Sequence, residues 1–271
     1  MVPADERWSL PDLGEAVAWC RRRNTEGIRC SLDVLGKYAR RRNEVEASVE
    51  AYRECIDAIA DGGLDASVSV KLSTLGAVFD RTLCREALAE LSGDAAGQGV
   101  CIEVDMEGRG LVQFTIDSAI AAAVTRSCPL TLALQAYLDR TAADLVDAVL
   151  PAGIRPRLVK GAYIGDTGDF GEIQARFRRL AAVLVARDTP FSVGTHDPEI
   201  IRWLVELLGD RQEKAAFGFL KGLSDLTKIS LAAKGWKVVE YVPFGTDAGG
   251  YTTRRQRYLA MLHAIGREPA P

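Results

Sequence analysis

Residues 157–163 read Arg157-Leu158-Val159-Lys160-Gly161-Ala162-Tyr163. A short apolar run carries two fixed cations, meets a glycine and ends on a tyrosine. That pattern predicts a strand running straight into its loop. In a parallel barrel, the C-terminal end of each strand is where chemistry is done. The rest of the chain is read for strands that could supply such a barrel.

On both sides of this stretch, runs rich in Val, Ile and Leu alternate with longer segments of helical period. The predicted strands are 27–35, 67–73, 99–105, 130–136, 154–160, 190–195, 215–220 and 237–243. The predicted helices after them are 43–61, 80–95, 112–126, 140–150, 170–187, 197–208, 222–234 and 250–264, with a leading helix at 11–24 near Asp12. Strands alternating with helices imply βαβ units and a parallel sheet. Eight such units in a chain of 271 residues predict an α/β fold, a (β/α)8 TIM-type barrel with an N-terminal extra helix. The expected organisation is an extension over 1–25 and one barrel over 26–266. An open doubly wound sheet fits less well. The glycine-rich stretches Gly165–Gly171 and Gly245–Gly250 do not follow the first strand, so no Rossmann dinucleotide fingerprint exists.

Composition narrows the function classes. A formal charge of −3 gives no reason to expect a nucleic-acid or membrane partner. No segment approaches the roughly 20 apolar residues of a bilayer span, and the opening MVPADERWSL has no apolar run of signal-peptide length. Cys20, Cys30, Cys55, Cys84, Cys101 and Cys128 are scattered singly, without a C-x-x-C or His/Cys cluster. They are expected to be buried or half-buried free thiols in a reducing cytosol, with no metal site. No tandem repeat or low-complexity segment is present, and 267–271 reads as a frayed tail.

Polar residues collect at the predicted strand ends: Asp33 and Lys37, Lys71 to Ser73, Asp105 to Glu107, Gln135 to Tyr137, Arg157 to Tyr163, Thr195 to Asp197, and Tyr241, with the apolar Leu220 at the end of the seventh strand. The last helix adds Tyr251, Arg254 and Arg255. Each has two readings. An unpaired buried ammonium at Lys71 would be costly, so it is expected to serve a site, with Asp105 as partner. Asp105 reads equally as a cap of the next helix. Gln135 needs hydrogen-bond partners, which a cofactor amide edge or neighbouring backbone would supply equally. His196 reads as a structural donor or a catalytic base, and His263 as a surface residue. Adjacent arginines point about 100° apart on a helix, so Arg254 and Arg255 read as a solvated face or as two edges of an arc facing the barrel mouth.

Read together, these motifs resemble the proline dehydrogenase family. The resemblance rests on Ser31-Leu-Asp-Val-Leu-Gly36, Val70-Lys-Leu-Ser73, Asp105-Met-Glu107, Leu134-Gln-Ala-Tyr-Leu138, Arg157 to Tyr163, Thr195-His196, Tyr241-Val-Pro-Phe-Gly245 and Tyr251-Thr-Thr-Arg-Arg255. It covers about residues 27–260. It implies a distorted (β/α)8 barrel that binds FAD and oxidises L-proline, or a related secondary-amine amino acid, to an imine. Hydride would pass from the carbon next to nitrogen to flavin N5. It further implies that Arg254, Arg255 and Lys71 hold the substrate carboxylate, with Asp105 keeping Lys71 charged. Tyr163, Leu220, Tyr241 and Tyr251 would wall the substrate ring. Arg157 would lie near the flavin N5 and Gln135 near its pyrimidine edge. Lys160, Gly161, Ala162, Thr195 and His196 would contact the rest of FAD. A quinone, or dioxygen if the mouth is open, would take the electrons, and the location implied is cytoplasmic.

The chain departs from the family pattern on the substrate side. The family usually has Glu where Lys37 stands, Glu where Tyr258 stands, and an aromatic at Ile164. Ala216 and Gly218 replace an expected Glu and Gln, and Thr246-Asp-Ala-Gly-Gly250 replaces an aromatic pair. Lys37, Ile164 and Tyr258 are therefore candidates for setting substrate choice. A more open and positive mouth would suit a larger, modified or carrier-tethered amine or hydrazine in a biosynthetic pathway. Two rivals remain. A Schiff-base barrel lyase would use Lys71 or Lys160 as nucleophile. A non-catalytic flavin or ligand-binding protein would have a decayed lid.

Overall fold

The structure, a computed structural model, describes residues 7–36, 38–124 and 130–271. Lys37 and Cys128 lie outside the described residues. Eight parallel strands close on themselves in chain order. They are β1 (Ile28–Val34), β2 (Ala66–Val70), β3 (Cys101–Val104), β4 (Thr131–Gln135), β5 (Arg155–Val159), β6 (Phe191–Gly194), β7 (Ala215–Leu220) and β8 (Lys237–Phe244). The expected TIM-type barrel is therefore the observed fold, and each predicted strand corresponds to an observed one.

The helices are α1 (Leu13–Thr25), α2 (Arg42–Asp61), α3 (Arg81–Gly97), α4 (Val112–Val124), α5 (Thr141–Ala143, continuing as a π-helix over Asp144–Val149), α6 (Phe170–Ala186), α7 (Pro198–Leu208), α8 (Asp225–Ala233) and α9 (Gly249–Ala264). Several begin on side-chain caps that satisfy their first free N–H groups. Asp12 accepts from Glu15 N, Asp80 from Thr82 N and Leu83 N, and Asp197 from Glu199 N and Ile200 N.

Strand side chains alternate between two environments. Leu32, Val68, Ile102, Leu132, Leu158, Val193, Phe217 and Val238 are buried in the core cluster. Their neighbours in β3, β5 and β7 are less buried and more polar or smaller. Glu103 of β3 reaches both Ser67 of β2 and Arg157 of β5, and Tyr241 of β8 reaches Asp105 beyond β3. Strands that are not neighbours can exchange such bonds only through the interior. The interior of this barrel is therefore charged as well as packed, while the main hydrophobic core lies between sheet and helices.

The extra helix closes the outer wall. Leu10 pairs with the end of β8, donating to Pro243 O at 2.9 Å and accepting from Gly245 N at 2.9 Å. Arg23 of α1 meets Glu240 of β8 at 2.6 Å and Glu26 at 2.7 Å, and also pairs with Asp225 of α8. Glu240 and Lys228 are fully buried, so the arginine compensates a charge that water cannot reach. The helix after β8, α9, is thereby left to lie over the barrel mouth.

The tail is a correction. Ala270 is buried and donates to His196 O at 2.7 Å, and Arg267 pairs with Glu199 at 3.1 Å. Residues 267–271 are docked, because backbone bonds to the β6 and α8 region satisfy what composition alone left open. Of the cysteines, Cys20, Cys30, Cys55 and Cys84 are buried free thiols and Cys101 is half-buried.

Candidate active site

Lys71 follows β2 directly, and its ammonium is the hub of a network at the mouth. It pairs with Asp33 of β1, lies 3.0 Å from Asp105 Oδ2 and donates to Tyr241 Oη at 2.8 Å. Tyr241 Oη donates in turn to Asp105 Oδ2 at 2.6 Å. Ser69 Oγ donates to Asp105 Oδ1 at 3.3 Å, and Arg157 pairs with the same carboxylate. The expected Lys71–Asp105 pair is thus present. Asp105 is not the cap of a helix; the next helical turn begins at Arg109.

Charge pairing decides the protonation states. Burial opposes ionisation of Asp105, but Lys71 and Arg157 outweigh it and hold the carboxyl well below the usual carboxylate range. Burial also works against the Lys71 ammonium, and Asp33, Tyr241 and Asp105 more than compensate, so its pKa is raised. Asp33, fully buried, is shifted upward by burial even though Lys71 favours its charge. Burial and the two nearby carboxylates push the Tyr241 phenol up, so it stays a donor. A lysine held as an ammonium by two carboxylates is the opposite of the desolvated free amine that Schiff-base chemistry needs.

Asp33 was read from the sequence as a polar residue at a strand end, but with no role assigned to it. The alternation Cys30-Ser31-Leu32-Asp33 already places it on the same face as Ser31, away from Leu32, and that is the signal that could have given it one. Glu107 is a second such residue: buried, it accepts from Ser73 N at 2.9 Å and from Ser73 Oγ at 2.6 Å, which ties the loops after β2 and β3 together.

On the β4 side, Gln135 Nε2 donates to Met106 O at 3.2 Å and Glu107 O at 3.3 Å. Its Oε1 is buried without a partner. The amide is therefore fixed with an acceptor left over, which suits a ligand N–H. Beyond β5, Gly161 adopts φ +128 against the Tyr137 ring, and Tyr137 Oη accepts the Tyr163 N–H at 3.1 Å. Ala162 is exposed beside it. Lys160 pairs with Asp197 at 2.5 Å and lies 4.0 Å from the Phe170 ring centroid. Burial lowers its pKa despite Asp197.

His196 is buried at the end of β6. Its Nε2 accepts from Leu220 N at 3.3 Å, which leaves Nδ1 to donate to Ser224 Oγ at 3.0 Å. Burial, with Arg255 and Lys228 nearby, holds it neutral, its pKa well below the ordinary histidine value. Both ring nitrogens are engaged within the protein, so neither is free to act as a base. Thr195 Oγ1 accepts from Asp197 N at 3.2 Å. His263 is exposed.

From α9, Arg254 lies over the Tyr163 ring at 5.7 Å and Arg255 over the Tyr251 ring at 4.7 Å. The two arginines thus face aromatic rings at the mouth. Among the described residues no carboxylate forms an ion pair with either. Tyr258 packs on His196, ring centroids 6.4 Å apart, and burial pushes its phenol up to about 12. Ile164 is 81% exposed on the loop past Tyr163. Among the described residues no group of His, Cys, Asp and Glu could hold a metal ion, and no helix is long and apolar enough to cross a membrane.

Comparison with known proteins bears on the family and the fold. Proline dehydrogenase 1 of Bacillus subtilis subsp. natto is 29% identical over 257 residues, covering 90% of this chain and 82% of that protein. Proline dehydrogenase of Deinococcus radiodurans is 28% identical over 247 residues, covering 85% and 77%. Among solved structures, proline utilization A from Bdellovibrio bacteriovorus, inactivated by N-propargylglycine, superposes with a TM-score of 0.83 at 18% identity over 93% of this chain. A variant of proline utilization A from Bradyrhizobium japonicum gives 0.79 at 22% identity over 92%. The two share the fold, and this chain spans only 32% and 30% of their lengths. The family model for proline dehydrogenase matches residues 16–257, and the chain belongs to the proline dehydrogenase family.

Proposed function

We propose that this barrel, residues 26–266 with 1–25 as an extension, is an FAD-dependent dehydrogenase acting on the CH–NH bond of L-proline or a related secondary-amine amino acid. The observation that carries the reading is the Lys71–Asp105–Tyr241–Arg157 network lying below two arginines of α9 that have no ion-pair partner among the described residues.

The residues fit a flavin. Gln135 Oε1 is a buried acceptor without a partner, free to take an N–H of the flavin ring edge. Gln135, Arg157, Lys160, Gly161, Ala162, Thr195 and His196 would hold FAD. When bound, it would supply the two-electron hydride acceptor that no side chain can provide.

The chain's own groups orient and charge the site. Arg254, Arg255 and Lys71 bind the substrate carboxylate, for which guanidinium forks are suited. Tyr163, Leu220, Tyr241 and Tyr251 wall the ring and exclude water. The fixed charge on Lys71 disfavours a second cation nearby, which favours the neutral amine needed for oxidation. Arg157 supports negative charge developing beside it. A quinone takes the electrons onward, with dioxygen as the other candidate.

A second reading has its own observation. Ile164 stands 81% exposed beside Tyr163, which leaves this side of the mouth open. Such a mouth admits a larger amine, hydrazine or tethered substrate. The experiment is anaerobic bleaching of the FAD-loaded protein by L-proline, hydroxyproline, N-alkyl glycines and hydrazino acids, free and carrier-bound. Bleaching by L-proline is expected. A protein that neither purifies with flavin nor binds added FAD would sink the proposal.

A further inference from the structure

Glu103 belongs to none of the groups proposed to bind cofactor or substrate. It sits inside the barrel on β3. Ser67 Oγ of β2 donates to its Oε1 at 2.5 Å, and its Oε2 lies 2.5 Å from Arg157 NH1. The other end of the same guanidinium, NH2, pairs with Asp105. Arg157 therefore bridges two carboxylates and is gripped at both ends.

Within this ion-paired network, among the described residues, the charges do not balance. Two cations, Lys71 and Arg157, face three carboxylates, Asp33, Asp105 and Glu103. Lys71 serves Asp33 and Asp105. The ion-pair partner of Glu103 is Arg157, which Asp105 already pairs. Glu103 is thus surplus to what is needed to compensate the arginine. Packing does not call for it either, since the register neighbours are Ser69 and Thr131, small polar residues. Burying a carboxylate is costly, and one that neither packing nor charge compensation demands points to an electrostatic task. The Glu103 and Arg157 side chains are only 13% and 11% exposed, so water screens their attraction weakly.

We infer that Glu103 is a positioning residue that fixes the plane of Arg157 and offsets its charge, and so lowers the reduction potential of the bound flavin. The inference rests on the reading that Arg157 faces the flavin. Reduced flavin carries extra negative charge. A full guanidinium charge beside it would stabilise that state, and a guanidinium shared between two carboxylates does so less.

The test is the midpoint potential of the FAD-loaded protein, titrated against a reference dye. Glu103→Gln keeps shape and hydrogen bonding but removes the charge. It is expected to shift the flavin–dye equilibrium about tenfold toward reduced flavin, which for a two-electron couple is about 30 mV. Ser67→Ala loosens Glu103 without changing charge and should shift the potential by much less than Glu103→Gln does. Glu103→Asp, which keeps the charge, should hold the potential close to the wild-type value. If Glu103→Gln fails to load FAD, Glu103→Ser takes its place with the same expected direction. A purely structural glutamate would move the melting temperature and leave the potential alone. A folded, flavin-loaded Glu103→Gln variant with an unchanged or lower potential overturns the inference. A wild-type chain that takes up no FAD overturns it together with the functional reading, and the missing flavin absorbance tells the two failures apart.

Discussion

Tyr241 Oη stands 2.6 Å from Asp105 Oδ2, across the barrel from β8 to the end of β3, while Lys71 Nζ donates to the same hydroxyl at 2.8 Å. The phenol links the carboxylate to the ammonium and helps fix where both point. Hydrogen bonds to charged groups are worth about 1.5–3 kcal/mol. Tyr241→Phe keeps the ring wall but removes the link. It should slow flavin reduction by L-proline by about ten- to a hundredfold if that bond strengthens on the way to the transition state. Stopped-flow reduction read against melting temperature checks this. An equal loss of stability with unchanged reduction would assign Tyr241 to the fold alone.

The neutral His196 makes stability depend on pH. Its folded pKa is depressed by burial and by Arg255 and Lys228. A base with a depressed folded pKa contributes stability that is present above its unfolded pKa and is lost as pH falls. The unfolded histidine takes up a proton below about pH 6.5, and each further pH unit then costs about 1.4 kcal/mol. Urea unfolding at pH 7.5 and 5.5 should show this loss in the wild type. His196→Asn should be less stable at pH 7.5 but show a smaller loss between the two. Equal pH slopes would mean that the ring is protonated inside the fold.

The barrel was legible because apolar outward positions, spaced by two within strands, gave way to helical period eight times over. β7 matches its predicted span of 215–220. β2 stops at Val70, short of the predicted Ser73, because Thr74 N turns back to Lys71 O and Leu75 N to Leu72 O. The hub residues Lys71, Asp105 and Arg157 were legible because a fixed charge within an apolar run has few cheap places to go. Asp33 was seen at a strand end without a role, and Glu103 was not singled out at all. The role of an acid in or at the end of a strand shows only when the facing cation is known, and Lys71 and Arg157 come from other strands. The docked tail was illegible, since Ala270 N finds His196 O across 74 residues of chain. The placing of α1 beside β8 depends on Arg23 meeting Glu240, a pairing no local pattern announces.

Lys160 and Asp197 give a prediction on coupling. Asp197 accepts from Lys160 and from Gln174 Nε2, both at 2.5 Å, and caps α7. Asp197→Ala removes a helix cap worth about 1 kcal/mol and strands an ammonium that is 15% exposed. The loss should total about 2–4 kcal/mol. Lys160→Met on that background should restore part of it, because the unpaired charge goes. A double-mutant cycle by urea unfolding measures the coupling. Additive losses would show that the pair contributes nothing beyond the cap. FAD affinity, measured in parallel, should fall in both single variants.

Gly161 gives a final test of how the loop after β5 is built. Its φ of +128 is open to glycine and strained for other residues, and an added Cβ would fall 2.3 Å from Tyr137 Cε2. The Tyr137 ring is not free to retreat, since it is buried and its hydroxyl accepts the Tyr163 N–H at 3.1 Å. Gly161→Ala should therefore cost about 2–4 kcal/mol through backbone strain and overpacking. It should also displace Tyr163, which faces Arg254. If Tyr163 walls the substrate, KM for L-proline should rise more than kcat falls. Tyr137→Phe separates the two effects: it leaves the glycine unstrained, costs about 1 kcal/mol for the lost acceptor, and should raise KM only modestly. If Gly161→Ala lowers stability while KM stays at the wild-type value, the glycine serves the loop's packing and Tyr163 does not touch the substrate.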